Sequence, residues 1–306
     1  MTPAEMRADV AAATGGNSGR GSYRRLLRAS NTYIGLLPFF VYSAIFLALP
    51  TARVAFLAFR DQDDHWTLSN IFESFHGVYL LSFQRSIQLS LVSAITGAIF
   101  GFIAAYAITV SKIGFLRRIV QTASGVFANT GGVPLAFMFI ATIGTYGLVT
   151  KGLKLVGIDL YKGGWTLFTF TGLILVYLYF QIPLMVIVIL PAIDGLRLEW
   201  REAAATLGAS KQQFWRYIAG PILLPPFTGA LLLLFANSFA AYATAAALTS
   251  GTIPLVPIQI GSLVSGNVIA DEANLGYALG LGMILIIGFV MTGYAILQRR
   301  TAKWLS

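Results

Sequence analysis

Long apolar stretches alternate with short polar connections along this chain of 306 residues. A helix of about 20 apolar residues crosses the roughly 30 Å of hydrocarbon in a bilayer. Helices are expected in such stretches because lipid offers no hydrogen bonds to an open backbone. The pattern therefore predicts six membrane-spanning helices, at about 33–58, 87–110, 120–148, 166–190, 226–248 and 275–297.

Composition indicates a membrane protein rather than a soluble one. Hydrophobic residues make up 57% of the chain and charged residues 11%, against about 25% charged in an average soluble domain. The length would suit one or two soluble domains. With a mean hydropathy of +0.74, we expect instead an all-α integral membrane protein, a six-helix transmembrane bundle. The lack of cysteine excludes disulfides, thiolate catalysis and cysteine-ligated metals.

The first 30 residues differ in composition from the rest of the chain. They are rich in Ala, Gly, Ser and Arg and show no apolar period, which predicts a disordered tail over 1–30. The apolar stretch that follows is too long for a signal peptide and lacks a small-residue cleavage site. We therefore expect a tail, 1–30, followed by one transmembrane domain, 31–306.

Lys and Arg are concentrated in alternate connections. The tail, the second and fourth connections and the C-terminus are basic, whereas the first and fifth connections are acidic. By the positive-inside rule, both termini are then cytoplasmic, in a multi-pass membrane protein. The third connection, with Lys151, Lys154 and Lys162, departs from this pattern. The net charge of +9 is explained by topology, so no nucleic-acid binding is expected.

The fourth connection, 194–225, should be folded, because helices in a bundle are joined by about 2–8 residues. Residues 198–207 are good helix formers, and Gly208 is placed to end that helix as a C-cap. Ser210 and Gln213 have the spacing of a capping box for a second helix. Prolines should end that second helix; they are Pro221, Pro225 and Pro226. The sequence thus predicts a cytoplasmic helix–turn–helix.

Each of these two helices has an apolar face. The first face carries small side chains at its centre; its members are Trp200, Ala203, Ala204 and Leu207. The second face consists of Phe214, Tyr217 and Ile218. Two interpretations fit such faces, a segment lying on the membrane surface and a docking site for a partner protein. Composition alone does not separate them.

The spacing of residues in this connection favours the docking site. Three residues separate Glu202-Ala203-Ala204 from Gly208, nine more precede Ile218, and Pro221 follows. This spacing resembles the EAA loop in the permease subunits of type I binding-protein-dependent ABC importers. The resemblance extends from about residue 70 to the C-terminus. One position departs from it, Gly220, where the family usually has Leu.

In that family, the helix that carries the motif inserts into a cleft on an ATPase subunit. The resemblance implies that Glu202 fixes the loop geometry through a charge-assisted hydrogen bond. It also implies a set of ATPase-coupling residues: Glu202, Ala203, Ala204, Gly208, Ile218 and Pro221. The implied partners are two ABC ATPase subunits holding ATP and Mg²⁺, a second permease subunit, and a periplasmic or surface-tethered solute-binding protein. The chain itself would need no cofactor and would not be an enzyme.

Few polar side chains lie within the predicted spans. Proton- or sodium-coupled carriers usually need buried ionisable groups, so the lack of carboxylates, Lys and His there argues against a carrier. The sequence Gly131-Gly132-Val133-Pro134 interrupts the third span. Polar side chains in the spans either join helices by hydrogen bonds or line a weakly polar translocation pathway. The candidates for that pathway are Asn129, Gln181, Asn237, Ser238 and Tyr242.

Other functions find less support in the sequence. His65 and His76 lie in an acidic connection, which favours a solvated loop over a metal site. Residues 238–244 and 276–280 resemble the spermidine/putrescine, iron and phosphonate group of these permeases, although the acidic residue typical of polyamine members is missing. The transported solute stays open. The alternative to an ABC permease is a stand-alone channel or facilitator.

Overall fold

The computed structural model describes residues 36–61, 63–111, 113–265 and 273–305. These residues are mainly helical, with no β-strand among them, and they include six helices long and apolar enough to cross a bilayer. The prediction of an all-α protein with six spans is thereby confirmed. The predicted tail, 1–30, lies outside the described residues.

We number the helices of the described residues in chain order. They are α1 (Leu36–Leu57), α2 (Ser69–Ser74), α3 (Gly77–Ser111), α4 (Gly114–Asn129), α5 (Gly132–Ile143), α6 (Leu148–Leu155), α7 (Phe170–Asp194), α8 (Leu198–Thr206), α9 (Lys211–Ala240), α10 (Ala243–Thr249), α11 (Val256–Val264) and α12 (Ala273–Leu305). Helix α9 contains one π-helical turn, Trp215–Ala219.

The described chain divides into two compact units between Phe56 and Leu57. Helix α1 forms the first unit. Its apolar side chains, among them Phe39, Phe46 and Leu49, are exposed, as expected for a helix whose solvent is lipid. The second unit contains all the other helices and both candidate sites described below.

Helix α7 is the central element of the second unit, and it packs against α3 at van der Waals distance through glycines. A Cβ atom on Gly97 would lie 2.7 Å from the Cβ of Gln181, and one on Gly101 would lie 2.5 Å from the Cβ of Met185. Real Cβ atoms do not approach so closely. The small-residue spacing of these two glycines therefore lets the helices touch, as is common in membrane bundles.

The third predicted span, 120–148, is wrong in its extent. Helix α4 ends at Asn129 and α5 begins at Gly132, so that the candidate span is Gly132–Leu155. Gly132 has a φ of +78°, which glycine adopts without strain. Both sides of the break still lie along α7, because the rings of Phe127 and Phe139 contact the Tyr179 ring, with centroids 5.3 and 5.7 Å away.

The fifth predicted span, 226–248, is also displaced. The helix runs from Lys211 to Ala240, and the predicted termination at Pro221, Pro225 and Pro226 is wrong. Membrane helices tolerate proline where π turns and Ser or Thr side chains satisfy the freed backbone groups. Helix α9 has such a π turn directly before Pro221.

Candidate functional site: an exposed helix–turn–helix and a cleft at two helix breaks

Helix α8 ends in a turn that requires glycine. Leu207 is the C-cap, and Gly208 has a φ of +78°. The N–H of Gly208 donates to the Ala205 carbonyl at 3.0 Å and that of Ala209 to the Ala204 carbonyl at 2.9 Å, which is the Schellman arrangement. Gly208 therefore ends the helix from the position after the C-cap, and the prediction that this glycine terminates α8 is confirmed. A Cβ at Gly208 would meet no atom within 4 Å, so the requirement is conformational rather than steric.

The second helix begins at the predicted capping box. The backbone N–H of Gln213 donates to the Ser210 hydroxyl at 3.3 Å, and the Ser210 N–H donates to the Gln213 side-chain oxygen at 2.7 Å. Two backbone donors that a helix start leaves without partners are thereby satisfied. The capping-box prediction is confirmed, and α8 with the first turns of α9 (residues 198–219) forms the helix–turn–helix.

Gly220 stands where the EAA motif usually has Leu. The π turn that joins the helix–turn–helix to the fifth span explains why this chain has glycine there. The Gly220 N–H donates to the carbonyl of Trp215, five residues back. A Cβ on Gly220 would lie 2.6 Å from that carbonyl oxygen. The local backbone therefore leaves no room for a side chain at Gly220.

The helix–turn–helix presents apolar side chains outward. Leu207 is 87% exposed, Tyr217 is 68% exposed and Leu198 is 65% exposed. An open groove of about 270 Å³ lies at the turn and is lined by Leu207, Gly208, Ala209, Gln213, Phe214, Tyr217 and Ile218. Of the predicted α8 face, Ala204 is buried and Trp200 half-buried, whereas Ala203 and Leu207 are exposed. A surface of this kind is typical of an interaction site.

Glu202 does not form the predicted hydrogen bond within the loop. Its side chain is exposed, and none of the residues that the structure describes forms a hydrogen bond or ion pair with its carboxylate. The reason is local, since Leu198, Glu199 and Thr206, which share its side of the helix, carry no positive charge. Arg201 is adjacent in sequence and points to another side of the helix.

A second candidate site lies where two helix breaks meet. One break separates α4 from α5 at 130–131, and the other separates α9 from α10 at 241–242. Between them is an open cleft of about 380 Å³, lined by Ala128, Asn129, Gly131, Gly132, Phe180, Asn237, Ala240, Ala241, Tyr242, Ala243 and Thr244. No side chain in this lining is charged at neutral pH.

The predicted pathway residues divide into two groups. Asn129, Asn237 and Tyr242 line this cleft. Gln181 is fully buried and bridges helices, because its side-chain amide donates to the Leu234 carbonyl at 2.8 Å. Ser238 is also buried, with its hydroxyl 2.8 Å from that of Ser93 on α3. Gln181 reaches the site indirectly, through a 3.4 Å hydrogen bond from the Asn237 amide.

Two residues that sequence reasoning missed hold the breaks in place. The Tyr177 hydroxyl donates to the carbonyl of Ala241 at 2.9 Å, which satisfies a backbone group freed by the second break. The buried Thr244 hydroxyl accepts from the Gly132 N–H at 2.8 Å and so joins the two breaks. A tyrosine within an apolar span was the available signal for Tyr177, because a buried tyrosine hydroxyl usually needs a partner.

Comparison with known proteins identifies related chains. Residues 97–303 match the family model described as "Binding-protein-dependent transport system inner membrane component". The probable sulfate transport system permease protein cysT of Prototheca wickerhamii is 22% identical over 230 residues, covering 73% of this chain and 86% of that protein. The probable starch degradation products transport system permease protein AmyD of Thermoanaerobacterium thermosulfurigenes is 25% identical over 246 residues, covering 77% of this chain and 75% of that protein.

A solved structure shares the fold. The crystal structure of a bacterial alginate ABC transporter, in complex with an alginate pentasaccharide-bound periplasmic protein, aligns with a TM-score of 0.72 and 19% identity. The alignment covers 91% of this chain and 97% of that chain. This chain therefore shares its fold with a chain of that transporter.

Proposed function

The chain belongs to the binding-protein-dependent transport system inner membrane component family, the permease subunits of ABC importers, and we propose that its helix–turn–helix couples solute movement to a partner ATPase. The observation that carries this proposal is the exposed apolar groove at Gly208, within the connection that has the EAA spacing. The residues proposed to couple to the ATPase are Glu202, Ala203, Ala204, Gly208, Ile218 and Pro221.

The chemistry of the helix–turn–helix suits a protein partner. Ala203 is small and exposed, which lets another backbone approach α8 closely, and Leu207 and Tyr217 offer apolar surface beside it. Exposed basic side chains surround this surface; they are Arg197, Arg201, Lys211 and Arg216. A partner with an apolar pocket, acidic groups opposite these side chains and a basic group opposite the exposed Glu202 would be complementary, because opposite charges at a rim steer association.

The proposed assembly contains this chain, a second permease subunit and two ABC ATPase subunits that bind ATP and Mg²⁺. A periplasmic or surface-tethered binding protein delivers the solute. The chain lies in the bacterial inner membrane with both termini cytoplasmic, so the helix–turn–helix faces the ATPases. Catalysis takes place on the partner subunits, and the chain transmits their movement to the cleft.

The cleft at the two helix breaks is the proposed translocation pathway. The polar groups that face it are the amides of Asn129 and Asn237 and the hydroxyl of Tyr242, because the buried Thr244 hydroxyl is bonded to Gly132. Uncharged groups of this kind bind oxygen-rich solutes by hydrogen bonds and release them easily. Selection of the solute would then belong to the binding protein. The relatives are named for sulfate and for starch degradation products, both rich in oxygen acceptors.

Within this class, the spermidine/putrescine, iron and phosphonate group is the finer assignment that residues 238–244 suggest. A polyamine fits the cleft poorly, because the described lining offers no carboxylate to pair with a cation. A phosphonate or another oxyanion fits better, since neutral amides and hydroxyls donate hydrogen bonds to its oxygens. We therefore favour an oxygen-rich solute over a polycation.

Site-specific photo-cross-linking tests the docking. A benzophenone amino acid replaces Leu207, and a control replaces Leu155, which is 92% exposed and lies in α6. Irradiation of membranes followed by mass spectrometry should identify an ABC ATPase linked to position 207 and none linked to position 155. Absence of an ATPase from both positions, with the chain inserted at normal abundance, would favour the stand-alone channel.

A further inference from the structure

An ion pair joins the start of helix α4 to the end of helix α7. The guanidinium of Arg117 donates a hydrogen bond to the carboxylate of Asp194, and the two side chains are 37% and 32% exposed. These residues are 77 positions apart in the sequence. The Arg60–Asp64 and Lys154–Asp159 pairs, by contrast, join close neighbours. The Arg117–Asp194 pair therefore holds two separate helices together.

Both charges stand where their own helices disfavour them. Arg117 lies in the first turn of α4, near the positive end of that helix dipole, and Asp194 is the last residue of α7, at the negative end. Each charge is compensated by the other across the contact. The helix dipoles alone would favour an acidic residue at position 117 and a basic residue at position 194.

Apart from the ion pair, α4 contacts α7 through partly exposed apolar side chains, such as Phe127, whose ring lies against that of Tyr179. Ser124 is the one buried residue of this helix. Apolar contact is non-directional and permits sliding, whereas a charged hydrogen bond sets both distance and orientation. The ion pair therefore adds a directional contact between the start of α4 and the end of α7.

The pair also lies between the two candidate sites. Only three residues separate Asp194 from α8, and hydrogen bonds hold the first two of them close to the end of α7. The Gly195 N–H donates to the Pro191 carbonyl at 3.0 Å, and the Leu196 N–H donates to the Ile193 carbonyl at 3.2 Å. At the other end, α4 runs about 18 Å from Arg117 to Asn129, which lines the cleft. A displacement of α8 thus has a continuous path to the cleft.

We propose that the Arg117–Asp194 ion pair is a positioning contact, which passes movement of the helix–turn–helix through α4 to the cleft. Arg117 and Asp194 touch neither solute nor ATPase and act through α4. The proposal rests on the proposed docking of the helix–turn–helix on an ATPase. Without the pair, α8 still docks, but α4 no longer follows it.

The test measures the distance between α4 and α8 in the assembled transporter. The chain lacks cysteine, so two cysteines at exposed positions, replacing Val126 and Ala205, can carry spin labels. Pulsed EPR then compares nucleotide-free and ATP–vanadate-trapped complexes. In the otherwise native chain we expect a narrow distribution of distances between the two labels, and ATP–vanadate trapping should leave it unchanged. In Arg117→Gln, trapping should broaden this distribution or shift its mean by several ångströms.

Two further variants separate coupling from a general structural effect. Arg118→Gln removes the same charge from the next residue, which is exposed and forms no ion pair among the described residues, and it should behave as the native chain. The exchange Arg117→Asp with Asp194→Arg restores the pair in the orientation that both helix dipoles favour. This exchange should restore the narrow distance.

Two results would overturn the proposal. In one, Arg117→Gln keeps the native distance between the spin labels in both nucleotide states. In the other, the distance distribution of the exchanged variant is as broad as that of Arg117→Gln. If Arg117→Gln does not fold, Asp194→Asn is used in its place, because it removes the same ion pair from the side of α7. ATP turnover is measured on the same samples. A native chain that neither binds nor stimulates an ATPase contradicts the proposed function, a result distinct from an unchanged EPR distance in an active complex.

Discussion

Thr244 and Gly132 are hydrogen-bonded to each other in both directions. The Thr244 hydroxyl accepts from the Gly132 N–H at 2.8 Å and approaches the Gly132 carbonyl oxygen as a donor at 3.2 Å. Thr244 is buried, so water does not compete for these groups. One side chain therefore joins the unwound backbone of the third span to the helix that follows the break in the fifth. The two sides of the cleft are mechanically connected.

Replacing Thr244 by valine should destabilise this part of the chain. Valine has nearly the same shape but leaves the Gly132 N–H without a partner, which costs about 1–3 kcal/mol in the free energy of unfolding. Thr244→Ser keeps the hydroxyl and serves as the control. Denaturant unfolding in detergent measures the free energy of unfolding of both purified variants. Equal stabilities of the valine and serine variants would show that the hydrogen bond is unimportant.

Gly208→Val should weaken coupling while leaving the protein inserted. A φ of +78° costs a residue with a Cβ about 1–2 kcal/mol, whereas asparagine visits this region more readily. Open space around the Cβ position removes steric clash as an explanation. Stimulation of the partner ATPase, measured at equal membrane abundance, should fall for Gly208→Val and be largely kept for Gly208→Asn. Full stimulation by the valine variant would contradict a role for the turn.

Gly220→Leu, a change toward the residue usual in the family, should destabilise this chain. The new Cβ would lie 2.6 Å from the Trp215 carbonyl oxygen, and such overpacking costs about 1–3 kcal/mol. Gly220→Ala should show most of the effect, because the Cβ is the clashing atom. Gly152→Ala, in a helix with open space around the Cβ, is the control and should be neutral or stabilising. Thermal unfolding in detergent compares the three.

Local signals in the sequence predicted the helix–turn–helix well. The C-cap at Gly208 and the capping box of Ser210 and Gln213 depend on residues within a few positions of one another. The helix ends predicted at Pro221, Pro225 and Pro226 were wrong, because α9 continues through a π turn directly before Pro221. That accommodation depends on backbone geometry that residue type alone does not specify.

The cleft depended on contacts that sequence patterns do not carry. Asn129 and Asn237 are more than a hundred residues apart, and only the packing of α4 and α9 against α7 brings both to one cleft. Gln181 has the same side-chain chemistry but points between helices, where the Leu234 carbonyl binds it. Polar residues in apolar spans could be found from the sequence, whereas their division between cleft and core could not.

The membrane orientation can be tested with single cysteines. Asp63 lies in the first connection and Ala205 in α8, and both side chains are exposed. We expect an impermeant maleimide to label Asp63→Cys in intact spheroplasts and Ala205→Cys only after the membrane is opened, because the positive-inside rule places the basic connections in the cytoplasm. Labelling of Ala205→Cys in intact spheroplasts would reverse the proposed orientation.

Glu202→Lys should abolish docking without destabilising the chain. The carboxylate is exposed and has no partner among the described residues, so its replacement should change the free energy of unfolding by less than about 0.5 kcal/mol. If Glu202 instead pairs with the ATPase, reversal of its charge replaces attraction by repulsion at the interface. We expect at least about a tenfold loss of affinity, or roughly 1.4 kcal/mol. Glu73→Lys makes the same charge change at an exposed position in α2 and is the control.

Unfolding temperature and ATPase binding are measured on the same preparations. A variant that melts normally but no longer retains the ATPase assigns Glu202 to the interface. Normal retention would show that the motif glutamate acts neither within the loop nor across the interface.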